Sequence, residues 1–133
     1  MIKVCCAIIE NNCKILATKR GGQMHLSGFW EFPGGKLEKG ENTEECIIRE
    51  ILEELDIHIV ITGKLPYVEY HYPEKSIRLI PFICKLSSGE IKLHDHSEYR
   101  WIEPESWKQL NWAPADIKVI EYYLDNLSAT EEF

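Results

Sequence analysis

The chain has 133 residues and a mass of 15.5 kDa, enough for one domain with a sizeable core. Apolar residues make up 44% and charged residues 28%, a balance that argues against disorder. A net charge of −7 and a pI near 5.2 argue against a nucleic-acid polymer or an anionic membrane as main partner. A metal ion could still mediate contact with a phosphorylated small molecule. The five cysteines (Cys5, Cys6, Cys13, Cys46, Cys84) are odd in number and lack C-x-x-C spacing, so they read as reduced, mostly buried thiols. "MIKVCCAII" is too short and strand-like for a signal peptide, and no apolar run approaches the ~18 residues of a membrane span. The expectation is a cytoplasmic protein.

In chain order, "KVCCAIIE" and "CKILATKR" predict a hairpin turning at Asn11-Asn12. "GGQMHLSG" is a glycine-bounded loop, and "FWEFPGG" is a short aromatic strand ended by Pro-Gly-Gly. "NTEECIIREILEELD" is a helix, capped by Asn42 or Thr43, with Glu44 and Glu45 in the first turn where the dipole favours anions. "IHIVITGKLPYVEYHY" and "SIRLIPFICKL" read as two strands joined by a Pro-Glu-Lys turn. "SSGEIKLHDHSEYRWIEP" suggests two shorter strands around a loop. A second helix is expected over residues 114–127, opened by Pro114, with a frayed tail over 127–133. The sum is one α+β domain over residues 1–133.

The acidic helix raises the functional question. At about 100° per residue, Ile48, Ile51, Leu52 and Leu55 share one side, expected to pack on the sheet. Glu50, Glu53 and Glu54 fall together on the opposite side. Three carboxylates at that spacing repel unless something positive sits among them. A solvated face relieved by Arg49 is one reading, and a cation site is the other.

The surrounding order decides between them. Gly35, five residues, Glu41, seven residues and then Arg49-Glu50-Ile51-Leu52-Glu53-Glu54 resembles the Nudix box. The departure is Asp56, where that pattern has glycine; the position resembles a residue just past the helix end, where Asp tolerates the left-handed conformation at modest cost. The resemblance implies the Nudix fold, a mixed β-sheet sandwiched between α-helices. It also implies hydrolysis of a nucleoside diphosphate linked to another group, with Mg²⁺ as cofactor and Mn²⁺ able to substitute. Mg²⁺ prefers a few hard carboxylate oxygens and keeps several waters, which suits glutamates on one helix face.

By the same resemblance, Glu50, Glu53 and Glu54 supply metal oxygens, Glu50 is the candidate general base, and the carbonyl of Gly34 or Gly35 adds a ligand. Arg49 orients a glutamate, Glu41 is an outer ligand, and Lys36 contacts phosphate. One ligand usually comes from outside the box. Asp95, six residues before Trp101, holds that place with a short side chain, and Glu98 could share it or take it over. His94 and His96 flank Asp95 as a zinc pair would, but no further His or Cys cluster supports one, so solvated loop histidines are the plainer reading.

"TKRGGQMHLSGFWEFPGGK" and "LNWAPADIKVIEYYL" extend the likeness to the MutT branch and its relatives acting on CTP and dCTP. That likeness implies Arg20 and His25 as phosphate or sugar contacts and Phe32, Tyr72 and Leu79 as base-pocket walls. Each has a blander reading as surface charge, loop residue or core. Asp116, where the 8-oxoguanine-selective pattern has asparagine, is the candidate base reader; ionised, it can only accept hydrogen bonds. It could equally be a first-turn acid that the helix dipole favours. The implied activity is (d)NTP to (d)NMP plus pyrophosphate on CTP or dCTP, or on oxidised nucleotides such as 8-oxo-dGTP, by a monomer or homodimer. The alternatives are a Nudix hydrolase of ADP-ribose or a dinucleotide polyphosphate, and a Nudix-fold binding module without catalysis.

Overall fold

A computed structural model describes residues 1–131, of which 130 and 131 by backbone alone. Among the described residues, eight strands make one mixed sheet. β1 (Ile2–Asn11) runs parallel to β7 (Ser76–Ser88) at its centre, in unbroken register from Ile2↔Ile77 to Glu10↔Lys85. β2 (Lys14–Arg20) pairs antiparallel with β1 across the expected Asn-rich turn, where Asn12 and Cys13 take positive φ. β3 (Trp30–Glu31) and β8 (His96–Ile102) flank β2; β4 (Gly34–Lys36) pairs β1; β5 (His58–Lys64) and β6 (Val68–His71) pair β7.

The alternation of side chains along β1 feeds two cores. Cys5, Ala7 and Ile9 pack with Cys46, Ile47, Ile51 and Leu55 of α1 (Thr43–Leu55). Cys6 and Ile8 pack on the other face with Val119, Ile120 and Tyr123 of α2 (Pro114–Glu131). The sheet is thus sandwiched between two helices. Buried on both faces, β1 reads as a continuous apolar run rather than an alternating one.

Five expectations change. The chain breaks at Phe32-Pro33 but resumes as β4, so Pro-Gly-Gly interrupts the strand instead of ending it. Residues 57–72 hold two strands, because Pro66 has no N–H to donate and parts β5 from β6 along the 13-residue β7. Ser87 and Ser88 close β7, residues 89–95 are loop, and only β8 follows. α2 continues past residue 127 to Glu131; residues 132 and 133 lie outside the described ones.

The fifth change concerns α1. Its buried face is Cys46, Ile47, Ile51 and Leu55, while Ile48 and Leu52 are 42% and 41% exposed. The stripe is rotated towards the acids, so Glu50 and Glu54 flank the buried face and only Glu53 looks outward. Asn42 caps the helix and Glu45 reciprocates in a capping box. Asp56 ends it at φ 58°, ψ 28°, left-handed as expected for a glycine substitute.

Candidate active site

Arg49 organises the outer acids. Its Nε and Nη2 donate to Glu41 at 2.6 and 2.9 Å, and Nη1 donates to Glu50 at 2.8 Å and Glu53 at 3.1 Å. Nη2 also reaches the Lys36 carbonyl at 3.2 Å, tying α1 to β4. These bonds hold the Glu41 carboxyl down to about 2 and push the Arg49 guanidinium up. Arg49 thus touches two of the glutamates it was expected to orient, and Glu41 serves the arginine directly. Cys46 adds a support the sequence did not suggest: its thiol faces the carbonyls of Gly35 and Lys36 at 3.7 and 3.5 Å.

Glu54 sits deeper. Burial first, then the charges of Glu31, Glu50 and Asp95, raise its carboxyl from 4.5 to about 9, against a hydrogen bond from the Gly34 backbone. Its Oε2 is buried without a hydrogen-bond partner. Beyond it lies His96, whose side chain has no exposed surface: Nε2 is 2.8 Å from Glu31 and Nδ1 is 3.9 Å from Glu54. His96 is therefore not the solvated loop residue expected. His94 is exposed and pairs with Asp56 at 3.1 Å. Glu31 also takes an ion pair from Arg20, so it links β2, β3 and β8. Glu31 was missed, and His96 read as solvated, because their contact joins positions 65 residues apart.

Glu98 is held at 2.8 Å by Arg100, which itself stacks on Trp30 of the α2-side core. The charge of Asp95 is among those that raise the Glu54 carboxyl.

Arg20, His25, Phe32, Lys36, Tyr72, Leu79 and Asp116 all line one cleft of about 200 Å³. Gly34, Gly35 and Glu31 are in its wall, as is Lys75, which nothing in the sequence pattern singled out. Phe32 is both core and wall, packed on Trp112 with ring centroids 5.0 Å apart. His25 lies edge-on to Tyr72 at 5.5 Å, and its carbonyl accepts from Arg20. Asp116 is buried; its Oδ1 accepts from the Phe32 N–H at 2.9 Å, a span of 84 residues that a mere first-turn acid would not make. Burial, then the Glu31 charge, pushes its carboxyl well up towards the neutral form, which donates as well as accepts.

Two observations fit the acids to a divalent cation. Glu54 offers a buried oxygen with no partner, and Gly35 lies so close to Glu50 that a Cβ there would run into its carboxyl. Among the described residues no three ligand groups converge at metal distance, and Arg49 stands among the carboxylates as their counter-charge.

A mixed sheet between two helices, with a glycine-rich strand facing an acidic helix beside the cleft, is joined by similarity to known pyrophosphohydrolases, and together these make the chain a hydrolase of phosphoric anhydrides. The chain belongs to the Nudix family: the NUDIX domain model matches residues 4–122. It is 38% identical over 127 residues to the CTP pyrophosphohydrolase of Escherichia coli (strain K12), covering 93% of this chain and 92% of that protein. It is 31% identical over 123 residues to the 8-oxo-dGTP diphosphatase of the same organism, covering 90% and 93%. Among solved structures, the E. coli ORF135 protein superposes with a TM-score of 0.84 at 33% identity, over 97% of this chain and 92% of that one. Members of the family in general require a divalent metal. Among the described residues no helix is long and apolar enough to cross a membrane.

Proposed function

We propose that the chain hydrolyses nucleoside triphosphates to monophosphate and pyrophosphate in the cytoplasm, with Mg²⁺ as the cation and Mn²⁺ able to replace it. One observation carries this reading. The seven candidate substrate residues share a cleft whose wall includes Gly34 and Gly35, the residues against which Glu54 and Glu50 lie. Glu50, Glu53, Glu54, Asp95 and a carbonyl of Gly34 or Gly35 would hold the cation. When bound, it neutralises phosphate oxygens and makes a coordinated water more acidic. Arg20, His25 and Lys36 face phosphate and sugar. The water oxygen bonds to a phosphorus, the P–O bond between the α- and β-phosphorus breaks to give monophosphate and pyrophosphate, and Glu50 takes the water's proton.

For the base, CTP or dCTP and oxidised purines such as 8-oxo-dGTP are the candidates, supported by the names of the two E. coli relatives. Asp116 suits a base edge that presents an N–H donor, as cytosine and guanine do, and its neutral form would also donate to an acceptor there. Phe32, Tyr72 and Leu79 supply the apolar walls.

A panel of canonical and modified triphosphates with Mg²⁺, scored for pyrophosphate against orthophosphate, tests this reading. Equimolar monophosphate and pyrophosphate are expected; orthophosphate release would sink it. In the same panel, Asp116→Asn should reorder the preference among CTP, dCTP and 8-oxo-dGTP. An equal change for all three would remove Asp116 as a base reader.

A further inference from the structure

We propose that His96 is a positioning residue that braces Glu54 against Glu31 and so links the acids of α1 to the wall of the nucleotide cleft. The proposal rests on the reading of Glu54 as a cation ligand. His96 begins β8 opposite Arg20, where the β2–β8 register shifts between Lys19 and Arg20. Such an irregularity re-aims a side chain, and here the imidazole is turned wholly inside. On one side Nε2 is 2.8 Å from Glu31 Oε2, whose other oxygen Arg20 engages from the cleft. On the other side Nδ1 faces Glu54 Oε2 at 3.9 Å.

These last two atoms are the informative ones. Both are buried, both lack a hydrogen-bond partner, and they face each other. Leaving both unmade is costly, and a shift of about 1 Å would bring them to hydrogen-bond distance. An imidazole carries a nitrogen on each side: it can donate to one carboxylate and accept from a protonated carboxyl, or donate to both as imidazolium, which no aliphatic filler of that space could do. The chain Arg20–Glu31–His96–Glu54 then joins the cleft to the acids of α1, with its last link, at 3.9 Å, the one left to close. Outer partners of this kind fix the orientation of a metal ligand.

Two substitutions separate the two contacts. His96→Asn keeps a polar group near the Nδ1 position, towards Glu54; His96→Gln reaches the Nε2 position, towards Glu31. Mn²⁺ binding to the full chain without nucleotide is read by electron paramagnetic resonance, alongside kcat and KM in Mg²⁺. His96→Gln should weaken Mn²⁺ about 10- to 100-fold and lower kcat. His96→Asn should hold Mn²⁺ near the wild-type value and raise KM, because Glu31 and Arg20 are released. If both bind Mn²⁺ like wild type, the brace is refuted. If wild type itself binds no Mn²⁺, the cation reading fails first and takes the brace with it. Should the variants not fold, ring ¹⁵N resonances of the wild-type chain decide. Mg²⁺ should shift His96 Nδ1 and leave His71, bonded to Ser76 at 2.6 Å, unchanged; an unmoved His96 overturns the proposal.

Discussion

Gly34 and Gly35 are neighbours in β4, yet a methyl group on each should do different damage. At Gly34 a Cβ would strike the Cys5 carbonyl, part of the central strand, which cannot yield without breaking the β1–β4 register. At Gly35 it would strike the tip of Glu50, a flexible side chain that can swing aside. Gly34→Ala should therefore lower the melting temperature sharply. Gly35→Ala should fold with near-normal stability and lose turnover, since Glu50 leaves its place. Thermal melts and kcat on both variants check the contrast; equal loss of stability would contradict it. The same residue scale explains Asp56: at φ 58° it costs about 1 kcal/mol or less compared with glycine, and it removes no ligand.

The element that matters most is α1, and its rotation is testable. Ile51 is fully buried, so Ile51→Ala should cost about 2–5 kcal/mol in chemical denaturation. Leu52 is exposed, and Leu52→Ala should stay within about 0.5 kcal/mol. Similar losses would restore the face that counting by 100° suggests. That count finds the helix, its cap and the glutamate spacing, because all of these are local. It places the buried stripe wrongly because it assumes that apolar residues alone define the interior. Here Glu50 and Glu54 are drawn to the sheet beside Gly34 and Gly35, so Ile48 and Leu52 are turned outward. The pairing of both β5 and β6 with the long β7, and the meeting of Glu31 with His96, were equally hidden. They depend on register between distant strands. The cleft residues were legible one by one, through family likeness, while their convergence needed the fold.

At the scale of the whole molecule, a net charge of −7 includes several carboxylates crowded at one end of the sheet. Glu54 binds its proton more tightly folded than unfolded, so stability is present at low pH and lost as pH rises from 4.5 through about 9. In EDTA the melting temperature should fall across that window. Mg²⁺, which binds the deprotonated acid, should restore more stability near pH 8 than near pH 6. A melting temperature in EDTA that is flat or rises with pH would argue against the buried acid. The central proposal is Glu54 as a cation-holding carboxylate of a triphosphate hydrolase, and Glu54→Gln tests it most directly. Turnover in Mg²⁺ should drop by at least about 100-fold, beyond what outer-sphere partners cost, while the melting temperature in EDTA is kept or raised. Turnover within a fewfold of wild type in a folded Glu54→Gln chain would contradict it.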